Sequence, residues 1–279
     1  MPKVKKIEPG IYRITEKLGV GCYLVIGSER ALLIDTGYGK VDLKKTVSGL
    51  TSLPVTVVNT HLHPDHSGGN KFFGAAMVGE ADLPARAGVP SNALLQGVAE
   101  ATVLKHPLLK RPAKWFSSLM HLDADEAEYS PLPDAIDLGG RTVRVLPCPG
   151  HTAGSVLLVD DKSRLMFAGD AINTALWLFT CPESTTSGYA ATIDSLLPEI
   201  ESCRAICIAH SGKPLPPSFA RVFKEVLENI KAEDCRPLPV EGTPEPLLIY
   251  RKKTEGYSFG IFLFGSQIKQ KAADSPSEH

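Results

Sequence analysis

The sequence predicts an α/β chain of two packed sheets covered by helices on their outer sides, with a helical insertion between its two halves. Short apolar runs cut by Gly, Pro and Asp recur in two separate regions, residues 10–37 and 141–169, which is the signature of consecutive strands. Stretches with helical spacing of apolar residues follow each region, so both sheets have helices available to cover them. A chain of 279 residues, 43% hydrophobic and 22% charged, is long enough to bury a substantial core and has the composition of an ordinary globular protein. Length alone leaves open one large domain or two modest ones.

Taken in order, Gly10 to Ile14, Cys22 to Ile26 and Ala31 to Ile34 read as a strand meander that ends in Asp35-Thr36-Gly37. Val41, Leu43, Val47 and Leu50 form a helical stripe, and the β-branched run Val55 to Val58 leads straight toward His61. Glu80 to Asp134 shows no strand patterning but carries spaced apolar residues from Leu94 to Met120, read as a helical insertion. It is either a satellite core or a lid over a cleft. Arg141 to Leu146, Ser155 to Val159 and Arg164 to Phe167 are three closely spaced strands. A helix is expected around Ala190 to Ile200, a buried strand at Ala205 to Ala209 and a helix around Ser218 to Ala232. Leu247 to Tyr250 and Tyr257 to Phe264 resemble a hairpin, and the tail from Lys269 is polar.

Charge and cysteine usage narrow the function classes. Lys+Arg of 30 against Asp+Glu of 31 gives a net charge of -1, without the basic excess that binds phosphate backbones, so no nucleic-acid partner is expected. No run approaches the roughly 18 apolar residues of a membrane span, and no apolar stretch follows the N-terminal lysines; no membrane partner and a cytoplasmic location are expected. Six scattered cysteines in a chain of this size read as free thiols; Cys203 and Cys207 lie four apart, but Ala205 to Ala209 reads as a buried strand and not as part of a metal site.

The chemistry is concentrated in His61-Leu62-His63-Pro64-Asp65-His66, which packs three of the chain's 8 histidines and a carboxylate into six residues. If the backbone is extended at His61 and His63, both side chains share a face; Pro64 then forces a turn that swings Asp65 and His66 toward the same cleft. Ser67-Gly68-Gly69-Asn70 allows a tight turn into a following helix. A hydrolytic metal needs ligands from further segments. Candidates stand just past later strands: His151 in Pro149-Gly150-His151-Thr152, Asp170 after Gly169, and His210 after Ala209.

In chain order and local context these residues resemble the metal-binding motifs of the metallo-β-lactamase superfamily. Leu33-Ile34-Asp35-Thr36-Gly37 is similar to that family's first motif and Gly150-His151-Thr152-Ala153-Gly154-Ser155 to its third, and the match runs from about Gly10 to about His210. The resemblance implies an αββα metallo-β-lactamase sandwich, which with the patterning above gives a single domain over 1–279 that carries the helical insertion at about 80–134 and the C-terminal hairpin at about 245–265. It also implies two divalent metal ions, Zn2+ first with Mn2+ or Fe2+ as alternatives. His61, His63 and His151 would hold one, Asp65, His66 and His210 the other, and Asp170 would bridge them. Asp35 would support the site from behind or cap the turn at Thr36-Gly37.

Two ions sharing a water would lower its pKa enough to supply a bridging hydroxide near neutral pH, with Asp65 as the catalytic carboxylate. True β-lactamases lack an aspartate at the bridging position. Asp170 therefore points to the branch of glyoxalase II and acyl-homoserine lactonases, and to an ester, thioester or lactone as the small-molecule substrate. The basic substrate-binding segment of a glyoxalase II is not recognisable after His210; Lys213 and Arg221 are the available basic residues. Trp177-Leu178-Phe179 is either core or a surface for an apolar substrate portion, and Asn173 and Tyr189 are candidate oxyanion donors. The alternatives are a phosphodiesterase with the same metal site, a mononuclear iron persulfide dioxygenase using His61, His63, His151 and Asp170, and a non-catalytic binder. A homodimer is left open.

Overall fold

The computed structural model describes residues 2–16, 19–83, 98 and 127–269. Four antiparallel strands open the chain, β1 (Lys3–Glu8), β2 (Ile11–Thr15), β3 (Gly21–Ile26) and β4 (Ala31–Ile34). Helix α1 (Leu43–Ser48), capped by Asp42 on the Lys45 N–H, then supplies the crossover that a parallel pairing requires. β5 (Val55–Val58), β6 (Ala75–Val78) and β7 (Glu128–Pro131) accordingly add in parallel, completing a seven-stranded sheet in chain order. β7 lies inside the stretch expected to be a helical insertion without strands. It is a polar edge strand that ends in proline, so it carries no apolar alternation by which to recognise it.

The second sheet has the order β13-β11-β10-β9-β8, from β8 (Ala135–Asp137), β9 (Thr142–Pro147), β10 (Val156–Asp160), β11 (Leu165–Gly169) and β13 (Ala205–Ile208). β13 runs parallel to β11 because a long helix, here α3 (Thr186–Ser202), follows β11 and returns the chain. Every residue of β10 and β11 is buried, as expected of strands covered on both faces. One face meets the first sheet, where Val25, Leu32 and Ile34 pack with Val156, Leu158 and Phe167, and the Tyr23 and Phe167 rings lie 5.0 Å apart. The other meets α3 and α4 (Phe219–Glu228) through Ile193, Leu197, Phe219 and Phe223. Leu43 and Val47 of α1 cover Leu24 and Leu33 on the far side, so the layers are α, β, β, α.

Phe223 anchors the outer layer, its ring within 5.8 Å of Tyr189, 6.2 Å of Phe219 and 6.5 Å of Phe259. Phe223→Ala is expected to lower unfolding free energy by about 3–5 kcal/mol, read by denaturant titration, because the buried ring leaves a cavity that its aromatic neighbours cannot fill.

A third sheet departs from the two expected. β12 (Ala175–Trp177), β16 (Tyr257–Phe264), β15 (Leu247–Thr254) and β14 (Cys235–Pro237) form it, in the order β12-β16-β15-β14. β15 and β16 are a hairpin whose two turn residues, Glu255 and Gly256, both have positive φ, the geometry that matches strand twist. β12 and β14 have three residues each, too short to show a period of two. Val98 is buried in this sheet's cluster with Phe179, Leu247, Phe262 and Phe264. The rest of the expected insertion, 84–97 and 99–126, and the tail 270–279 lie outside the described residues. All six cysteines are free, and among the described residues no helix is long and apolar enough to cross a membrane.

Candidate metal centre

The strand ends converge on one edge. His61 stands three residues past β5, and His63 is the extended N-cap of a four-residue helix, α2 (Pro64–Ser67), with Pro64 at its first position. Proline there lacks only an N–H that would have no helical partner. The helix that carries Asp65 and His66 therefore starts inside the histidine motif, ahead of the glycines, and the helical turn expected after them is a short 3-10 turn (Asn70–Phe72). Gly68 and Gly69 serve close approach instead: a Cβ on Gly69 would lie 2.4 Å from the Thr36 carbonyl oxygen, and one on Gly68 2.6 Å from that of Tyr38. His151 occupies the β9–β10 loop, Asp170 directly follows β11, and His210 stands two residues beyond β13.

His61, His63 and His151 form one group and Asp65, His66, Asp170 and His210 another, each with its ligand atoms within 4.8 Å of one another. The groups adjoin, the His61 and His66 ring centroids being 4.0 Å apart. Both halves fit a divalent cation. In the first, His151 Nδ1–H donates to the Trp177 carbonyl at 2.9 Å, which leaves Nε2 a bare lone pair. The Thr60 hydroxyl gives its proton to Asp35 at 2.9 Å, so it accepts from His61 Nδ1–H at 3.2 Å, and His61 Nε2 is bare as well. These two lone pairs face each other at 3.2 Å, with His63 Nδ1 at 3.0 Å from His151 Nε2. Such an arrangement repels itself unless a cation sits among the nitrogens.

Protonation offers no relief in this half. Burial and neighbouring imidazoles lower the His61 and His151 pKa values, and burial with His151 beside it pushes His63 down to about 3. In the second half the balance reverses. Burial opposes charge on His66, but Asp65, Asp35 and Asp170 outweigh it and raise its pKa. Asp170, 3.0 Å from His210 Nε2, lifts that imidazole to about 10. Burial would raise the Asp65 carboxyl, yet His66 and His210 hold it at about 2. His66 Nδ1–H is fixed on Asp35 at 2.8 Å, while its Nε2 has no hydrogen-bond partner among the described residues and faces Asp65 and Asp170, each at 3.6 Å. A cation can take the place of the protons that these carboxylates attract.

The structure thus brings together all seven predicted ligands and separates several other candidates from them. Asp35 accepts from the Thr60 N–H, the Thr60 hydroxyl and His66, which is the supporting role and not a turn cap. Tyr189 is buried with its hydroxyl donated to the Ala171 carbonyl, so it is no oxyanion donor. Asn173 Nδ2 approaches Asp170 Oδ1 at 3.5 Å. Arg221 is held by Glu201 on the outer helices, and Lys213 follows His210 in an exposed turn. Leu178 and Phe179 are core, whereas Trp177 is half-buried. Thr60 and the Trp177 carbonyl, which set two histidine tautomers, were not legible in the sequence. A hydroxyl next to His61 was the single available hint, and a carbonyl 26 residues from His151 gave none.

Comparison with known proteins agrees with this geometry. The family described as the metallo-beta-lactamase superfamily matches residues 16–76 and 101–234. The human acyl-coenzyme A thioesterase MBLAC2 is 28% identical over 211 residues, 69% of this chain and 74% of that protein. A hydroxyacylglutathione hydrolase of Hyphomonas neptunium is 28% identical over 150 residues, 52% of this chain and 44% of that one. Among solved structures, a metallo-beta-lactamase from Pontibacter korlensis shares the fold with a TM-score of 0.55 at 20% identity, covering 82% of this chain and 100% of that one. With the family matched over most of its length and a His/Asp donor set assembled at the edge of an α/β sandwich, the chain belongs to the metallo-β-lactamase superfamily and is a metal-dependent hydrolase.

Proposed function

We propose that the chain hydrolyses a small acyl substrate, a thioester first and otherwise an ester or lactone, at a binuclear centre. His61, His63 and His151 would hold one ion, Asp65, His66 and His210 the other, and Asp170 would serve both. The observation that carries this reading is the adjacency of two complete donor groups, joined where the His61 and His66 rings meet. Two divalent ions, Zn2+ first, would there supply hydroxide near neutral pH and polarise the acyl oxygen.

The chain's own residues do the rest. His210 is 39% exposed at its side chain and Asp65 18%, so these two form the mouth that a substrate meets. Asp65 would accept the proton of the attacking water on a carboxylate oxygen not used for metal and release it to solvent at this mouth. Trp177, half-buried and tied to His151 through its carbonyl, offers an apolar surface for the acyl portion. The thioester choice draws support from the relative named as a thioesterase.

Protein purified without added metal or chelator is expected to carry two zinc or manganese ions per chain by mass spectrometry, to cleave acyl thioesters, and to lose that activity on chelation. One iron per chain with oxygen uptake would overturn the reading in favour of a dioxygenase. Turnover of a nitrophenyl phosphodiester but of no thioester, ester or lactone would replace the substrate class.

A further inference from the structure

We propose that Asp82 is a positioning residue for the three-histidine half of the centre, a carboxylate that clamps the loop of His61 and His63 to the loop of His151. The proposal rests on reading those histidines as metal ligands. Asp82 ends a 3-10 turn (Glu80–Asp82) just past β6 and is buried. Its Oδ2 accepts from the backbone N–H of Leu62 at 3.1 Å and from the hydroxyl of Thr152 at 2.7 Å; its Oδ1 accepts from the N–H of Gly154 at 2.7 Å. Leu62 is the residue between His61 and His63, and Thr152 is the residue after His151. One side chain therefore grips both ligand loops immediately beside the ligands.

The grip matters because the loops belong to different sheets. His61 and His63 leave β5 of the first sheet, and His151 lies between β9 and β10 of the second. The bond from the Val156 N–H to the Thr60 carbonyl, 2.9 Å, also joins them, but it lies at the strand ends. Three nitrogens must meet one ion at about 2.0–2.1 Å, so small relative shifts of the two loops spoil the coordination. A carboxylate is suited to hold them, since hydrogen bonds to an ionised acceptor are roughly twice as strong as neutral ones.

Packing around the turn shows the same close fit. A Cβ on Gly79 would lie 1.9 Å from the Gly154 carbonyl oxygen, and a Cβ on Gly154 would lie 2.7 Å from the Asp82 carboxyl carbon. Glycine at both positions lets the turn press its carboxylate against the His151 loop. Asp35 braces His66 directly, and Thr60 and the Trp177 carbonyl each orient one imidazole, whereas Asp82 bonds to both loops of the three-histidine half.

The test is Asp82→Asn in the full chain, which keeps the shape but replaces one acceptor oxygen with an NH2 that cannot accept. In a chelator competition, one of the two metal equivalents is expected to bind about 10–100-fold more weakly and the other to be unchanged. The visible spectrum of the cobalt(II)-loaded variant is expected to change as it does in His63→Ala and not as in His210→Ala, a signature that a merely structural role would not produce. Thr152→Val removes one of the three bonds without touching Asp82, and a smaller loss at the same equivalent is expected. Folded Asp82→Asn with both equivalents at wild-type affinity would overturn the proposal, as would a loss at the His210 half. If Asp82→Asn does not fold, unchanged affinity in Thr152→Val overturns it. Wild-type chain that retains two ions beside unaffected variants fails the clamp alone, whereas wild-type chain that binds no metal fails the ligand reading and the clamp with it.

Discussion

Asp170→Ala is expected to abolish hydrolysis and to lower the occupancy of at least one ion while the chain stays folded. Asp170 directly follows β11, with Oδ2 at 3.0 Å from His210 Nε2 and 3.6 Å from His66 Nε2. On the proposed assignment it is the donor common to both ions, so alanine removes a ligand from each and opens the distance between them. Losing several kcal/mol of transition-state stabilisation corresponds to a rate lower by about a thousandfold or more. The fold should survive because the carboxylate serves the site and not the core. Among the described residues its remaining hydrogen bond is the 3.5 Å approach of Asn173 Nδ2, and β11 itself is held by β10 and β13. Metal content by mass spectrometry, turnover and far-UV circular dichroism read the three parts separately. Unchanged metal content and activity would sink the site assignment.

Asp35→Ala is expected to damage both stability and metal affinity. Asp35 is buried at a φ of 60° and accepts from the Thr60 N–H at 2.8 Å, the Thr60 hydroxyl at 2.9 Å and His66 Nδ1–H at 2.8 Å. Alanine leaves these donors buried without an acceptor, and it is itself disfavoured at positive φ. Removing one partner of a buried ionic pair costs about 3–5 kcal/mol, which denaturant titration would read as a large fall in midpoint. The same change frees the His66 ring and, through Thr60, the proton arrangement that keeps His61 Nε2 bare. Metal affinity should therefore fall about 10–100-fold. Asn tolerates the left-handed conformation better than Ala, so Asp35→Asn should keep more stability than Asp35→Ala yet still lose affinity. A variant that unfolds at the wild-type midpoint and binds metal as the wild type does would show that the Asp35 network supports nothing.

The sequence by itself determined the sheets that carry the site and the identity of the converging residues. Both follow from local rules. Apolar runs such as Ser155 to Val159 and Arg164 to Phe167, short and cut by Gly, Pro and Asp, read as buried strands, and a residue just past such a strand is delivered to a sheet edge. Three histidines and a carboxylate in six residues needed no contact map to be noticed. What only the tertiary structure decided are the features that depend on distant partners. The third sheet pairs β12 with a strand some 85 positions later in register, Ala175 opposite Gly260, and three residues carry no period to predict it. Whether Asp35 caps a turn or braces His66, and which buried donors Asp82 accepts from, depends on where Thr60, Thr152 and Gly154 arrive. A carboxylate looks the same in sequence in either role. Its function is set by which buried donors the fold brings within about 3 Å of it, and that is a property of the packed sheets and not of the segment that contains it.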